Sequence, residues 1–165
     1  TLSVSLFCVN SFKFHIPKNI KLLKVQYFNI NNLYFEHLQT LTINKSYGGI
    51  IGDTKYDVNI NGNLDSLHIN HFLIRGKCTF STSSIINNII ISKTCISGFE
   101  HYDRRELQRY MLNWYSSTLP KNIIDLSNLS TLKTYKVPNG IIKIKNIDEA
   151  INLYDIYLLL PKHLT

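Results

Sequence analysis

The chain is 165 residues long, 44% hydrophobic and 18% charged, a composition that suits one folded domain with a sizeable core and excludes a disordered tract. No window approaches 18 consecutive apolar residues, so no membrane-spanning helix is predicted. The net charge is +7, but Ile, Asn and Lys make up about a third of the residues, the bias of an A/T-rich genome. Lysine clusters only loosely, at Lys133, Lys136, Lys143 and Lys145, and a nucleic-acid footprint needs clustering on one face, so nucleic acid is disfavoured as a partner.

The chain starts at Thr1 with Leu2, Val4 and Leu6 alternating against Ser3 and Ser5, the pattern of a half-buried strand. A start inside such a pattern reads as a segment of a longer protein, with residues 1–165 forming a single repeat domain. Downstream, the template apolar-x-x-apolar-x-apolar recurs. It is met by Ile20, Leu23 and Val25; by Leu38, Leu41 and Ile43; by Leu64, Leu67 and Ile69; by Ile86, Ile89 and Ile91; and by Leu153, Ile156 and Leu158. Leu129 and Leu132 begin a further copy whose third place is Thr134. The middle residues stand 18, 26, 22, 43 and 24 apart, near a period of 22, and a period of about 20–29 residues signals a stacked solenoid. The interval of 43 equals two units, which predicts a strand or its replacement near residue 110. Leu2-x-Val4 lies 21 residues ahead of Leu23-x-Val25, which adds a unit at the front.

Turn-forming residues separate the copies. The tetrapeptide Pro-Lys-Asn-Ile occurs at 17–20 and again at 120–123, an internal echo, and Asn61-Gly62-Asn63 precedes Leu64. The glycine-rich stretch Tyr47 to Asp53 lacks a phosphate-loop signature and reads as the loop that lengthens one interval to 26. Between Tyr102 and Tyr115 the spacing of Leu107, Tyr110, Met111 and Trp114 predicts a helix near 102–115, capped by Asp103 with Glu106 three residues on. A weaker helical turn is predicted at 147–153.

Leu119-Pro120-Lys121-Asn122-Ile123, continuing through Leu126, Leu129 and Leu132, resembles the return segment of leucine-rich repeats. The likeness extends over about Ile20 to Leu160. Ile16 to Ile20 followed by Phe28-Asn29-Ile30 is also similar to the short Phe-Asn-Ile-Pro repeats of A/T-rich protists and giant viruses, without the proline after Ile30. The resemblance implies an α/β fold, a leucine-rich-repeat-like solenoid with a parallel concave β-sheet and a convex side mostly of loops and short helices. One departure stands out. The family's Asn/Cys place, which satisfies backbone groups in the bend after each strand, holds Phe28, Ser46, Phe72, Thr94 and Val137.

In such a stack the residues between the apolar ones face outward. This ladder is Lys24, Thr42, His68, Ile90, Lys133 and Tyr157, flanked by Gln26, Asn44, Asn70, Ser92 and Tyr135. It is the expected binding face for a partner protein, and the expected function is a protein–protein interaction module. The alternative is a non-repeat α/β domain with an enzymatic or nucleic-acid-binding role.

No catalytic, cofactor or metal set stands out. His68 and His71, with Cys78 and Cys95 beyond, lack the paired spacing of a structural zinc site. Three cysteines, Cys8, Cys78 and Cys95, are too few and oddly numbered for a disulfide framework. They read as small buried hydrophobes in a reducing, cytoplasmic setting. The sequons at Asn44 and Asn128 weigh little in a chain this rich in asparagine. The chain is expected not to be an enzyme.

Overall fold

The computed structural model describes residues 2–4, 19–29, 33–34, 38–49, 56–58, 60–75, 77–96, 122–146 and 155–165. These residues form strands almost throughout: β1 (Leu2–Val4), β2 (Leu22–Asn29), β3 (Leu33–Tyr34), β4 (Thr40–Gly49), β5 (Tyr56–Val58), β6 (Ile60–Ile69), β7 (Phe72–Arg75), β8 (Lys77–Phe80), β9 (Ser84–Ile91), β10 (Thr94–Ile96), β11 (Asn122–Asp125), β12 (Thr134–Lys136), β13 (Ile142–Lys143) and β14 (Ile156–Leu159). A single-turn 3-10 helix, Lys162–Leu164, follows. The expected helices at 102–115 and 147–153 lie outside the described residues.

Every strand pairing is parallel. The first sheet runs β1-β2-β4-β6-β9-β12, with β3, β7 and β10 attached beside that path. The second runs β13-β14-β11-β8-β5. The expected parallel sheet through 41–43, 67–69 and 89–91 is present, with Leu41 opposite Leu67 and Leu67 opposite Ile89. The unit at the front is present as well, since Leu2 pairs with Leu23 and Val4 with Val25.

The register explains the core. Leu23, Leu41, Leu67 and Ile89 stand in one line across the first sheet, and all four are buried. Ile43, Ile69 and Ile91 form a second buried line two residues on, and Leu38, Leu64 and Ile86 are buried three residues ahead of the first. Stacked aliphatic lines of this kind bury each unit only against its neighbours. From the second sheet Cys78, Phe80, Ile124 and Leu158 join the same core. Leu126, Leu129 and Leu132, three apart, are also fully buried in it. Backbone bonds from Leu129 N to Leu126 O (3.0 Å) and from Leu132 N to Leu129 O (3.2 Å) turn the chain tightly enough to aim all three inward.

Several expectations are corrected. The interval of 43 is not two units. β12 pairs directly with β9, Tyr135 opposite Ile89, so no strand lies between them. Ile74 pairs with Ile96, 22 residues later, whereas Cys78 pairs with Ile124, 46 residues later. The surplus of 24 therefore enters between Ile96 and Asn122.

The last copy of the template was also displaced by three residues. Its members are Leu132, Tyr135 and Val137, the latter two half-buried against the core, and its strand is Thr134–Lys136 rather than 132–134. Of the set Leu153, Ile156 and Leu158, the described Ile156 and Leu158 are not in the first sheet, because Ile156–Leu159 pairs with β11 in the second. The described ends of the two Pro-Lys-Asn-Ile copies differ in their surroundings. Ile20 packs on the first sheet's core, whereas Ile123 belongs to a separate cluster with Tyr157.

A convex side mostly of loops is corrected too, since five parallel strands form the second sheet among the described residues. The missing Asn/Cys bend has the same cause. Phe28, Ser46, Phe72 and Thr94 lie in register within the strand pairings. The backbone there is satisfied by its neighbours in the ladder, so no asparagine side chain is needed. Tyr47, Gly48 and Gly49 are likewise strand residues, opposite Leu73, Ile74 and Arg75. The surplus that lengthens the interval to 26 falls between Gly49 and Tyr56, because the offset is 26 at Gly49–Arg75 and 22 at Tyr56–Cys78.

Candidate interaction surface

The outward side of the first sheet is set by alternation. With Leu23, Leu41, Leu67 and Ile89 turned inward, the residues on either side of them face away from the core. Two in-register columns result. One is Leu22, Thr40, Ser66, Asn88 and Thr134; the other is Lys24, Thr42, His68, Ile90 and Lys136. All ten are half-buried or exposed. The second column carries a lysine at each end with His68 and Ile90 between them.

Side-chain bonds stiffen the column containing Asn88. Thr134 Oγ1 donates to Asn88 Oδ1 at 2.6 Å, and Asn88 Nδ2 donates to the Asp65 carbonyl at 3.0 Å. One place before the first column a polar row runs through Lys21, Gln39, Asp65, Asn87 and Lys133, with Asp65 and Asn87 inside β6 and β9. It is stitched by Gln39 N to Lys21 O (2.9 Å), Ser66 N to Gln39 O (2.9 Å) and Lys133 N to Asn87 O (2.7 Å). Asn87 Nδ2 also reaches Asp65 Oδ1 at 3.2 Å.

Lys24, Thr42, His68 and Ile90 thus occupy the column expected for them. Gln26 and Asn44 lie in β2 and β4. Asn70 and Ser92 follow β6 and β9, exposed, their amides bonded to Ile43 O (2.8 Å) and Ile69 O (2.9 Å). Three members are misplaced. Lys133 belongs to the polar row one place before the first column, and the column position is held by Lys136. Tyr135 occupies the core line, where its ring packs against the aliphatic stack. Tyr157 is in the second sheet and only 3% exposed. The residues missed were Lys136, at the end of the second column, and the whole first column, Leu22, Thr40, Ser66, Asn88 and Thr134. Counting Tyr135 as a core residue, so that Leu132-x-x-Tyr135-x-Val137 fits the template, finds Thr134 and Lys136, and taking the residue before each inward one finds the rest of the first column.

On the second sheet, Lys77 Nζ meets Asp125 Oδ2 at 3.0 Å. Asp125 is 5% exposed, and its Oδ1 accepts bonds from the Ser127 amide (3.0 Å) and hydroxyl. This carboxylate closes the turn after β11 and ties it to β8. Cys78 is fully buried, as expected, but Cys95 is only half-buried, and its sulfur lies 3.2 Å from His71 Nε2. No group of three or more His, Cys, Asp or Glu side chains able to hold a metal occurs among the described residues. No described helix is long and apolar enough to cross a membrane.

The architecture defines a protein built mostly of parallel strands with almost no described helix. Comparison of the chain with family models, with curated proteins and with solved structures gave no match.

Proposed function

We propose that the chain is a repeat solenoid that binds a partner protein through the outward face of its first sheet. The leucine-rich-repeat resemblance is kept for the aliphatic pattern of the units, with a second parallel sheet in place of a convex side of loops. Stacked units of this kind present extended recognition surfaces rather than enclosed pockets. The observation that carries the reading is the pair of in-register outward columns, which combine Lys24, His68 and Lys136 with the apolar Ile90 over five adjacent strands. Charged ends confer orientation on a bound partner, and the half-buried centre supplies apolar area.

The test is cross-linked capture of partners by the full chain and by His68→Ala/Ile90→Ser, with Lys162→Ala as an off-face control. The proposal expects a defined protein to be retained by wild type and control and weakened at least tenfold by the face variant, with melting temperatures equal within 2–4 °C, about 1 kcal/mol for a chain this size. Equal retention by all three proteins rejects the outward face as the binding surface.

A further inference from the structure

His71 stands in the bend after β6 and Cys95 in the middle of β10, one unit further along the stack. Only the register brings them together: Phe72 lies opposite Thr94 and Leu73 opposite Cys95, and the Phe72 amide donates to Lys93 O at 2.8 Å. The resulting Nε2–Sγ separation of 3.2 Å is within the reach over which an imidazole accepts a thiol proton. Both residues are half-buried, so the pair is neither sealed in the core nor wholly in water. Cys78, 0% exposed, is the inert comparison within the same molecule. Buried apolar thiols are structural, and reactive ones sit beside a base in partly exposed sites.

We propose that Cys95 is a modification site, a thiol activated by His71 that undergoes exchange with low-molecular-weight disulfides. In the resting pair the Cys95 S–H donates to His71 Nε2, with the ring proton on Nδ1. The proton passes to Nε2 and the thiolate attacks one sulfur of the small disulfide. The new S–S bond forms as the old one breaks, and the departing thiolate takes the proton from Nε2. The net change is one protein thiol and one disulfide giving one mixed disulfide and one small thiol, so atoms and electrons balance. The imidazole ends as it began.

The site lies beside the first sheet's outward columns rather than on them. It stands independently of the binding proposal. A mixed disulfide at Cys95 adds a bulky polar group at β10, next to β7.

The test treats the full native chain with oxidised glutathione near neutral pH and locates the adduct by peptide mass mapping, cysteine by cysteine. Cys95 is expected to be modified at least tenfold faster than Cys78. His71→Ala is expected to slow Cys95 at least tenfold with the melting temperature held, and His71→Asn to do the same. The direction matters, because removing the ring opens space around the sulfur. If access alone governed the rate, His71→Ala would speed the reaction. Equal rates at Cys95 and Cys78, or an unchanged or faster rate in either His71 variant, overturns the proposal. Unfolding of a variant would betray itself by exposing Cys78 to the reagent, and the other variant then decides.

Discussion

At the scale of single residues, the least replaceable polar group described is Asp125. Its carboxylate is nearly dry, yet both oxygens are engaged, one by Lys77 and one by the Ser127 turn. A buried carboxylate without its partners carries a desolvation cost of several kcal/mol. Asp125→Ala is expected to lower stability by about 2–4 kcal/mol, through loss of the turn bonds and of the ion pair with Lys77. Lys77, with 27% of its side chain exposed, regains water when left alone, but Lys77→Ala leaves the carboxylate buried and is expected to cost about 1–3 kcal/mol. Chemical denaturation of both variants measures the order, and a larger loss in Lys77→Ala would contradict this account. Gly140 is special for a backbone reason. Its φ of +93° sits at the third place of the Pro138–Ile141 turn, where a residue with a Cβ is strained although space is open.

The elements at the end of the stack carry the lysines that looked merely loose in the sequence. Lys133 and Lys136 flank or lie in β12, and Lys143 and Lys145 lie in or just after β13. Among the described residues these are the last strands of the two sheets, and all four lysines are exposed. Lys143 Nζ stands 5.4 Å from the Tyr135 ring centroid, which holds one charge over the edge. An open strand edge invites pairing with another chain, and lysine is a common guard against it. Replacing all four by threonine is expected to give concentration-dependent association with circular dichroism unchanged. Sedimentation that stays monomeric at high concentration would show that the charges guard nothing. Bonds from Asn128 Nδ2 to Phe80 O and from Thr131 Oγ1 to Ile86 O anchor this final unit to the one before.

For the molecule as a whole, the order of strands is the decisive property. A strand between β9 and β12 would put residues 90 and 136 about 10 Å apart, whereas direct neighbours stand about 4.8 Å apart, within the span of a disulfide. Ile90→Cys/Lys136→Cys is therefore expected to cross-link on mild oxidation, and failure to do so would restore the two-unit interval. The amino-acid pattern alone determined the inward lines of the first sheet, because an aliphatic residue every 22 or so positions falls on the same line of the next parallel strand. It also determined the outward places of Lys24, Thr42, His68 and Ile90, since alternation in a strand leaves no other face. Tertiary structure decided the rest. Tyr135 is core because its ring continues an aliphatic line, a role that residue type alone does not disclose. Tyr157 is buried because its strand joins a second sheet, and sheet membership depends on hydrogen-bond partners far along the chain. The His71–Cys95 pair exists only through the register of two units, a relation between backbones that no local spacing encodes.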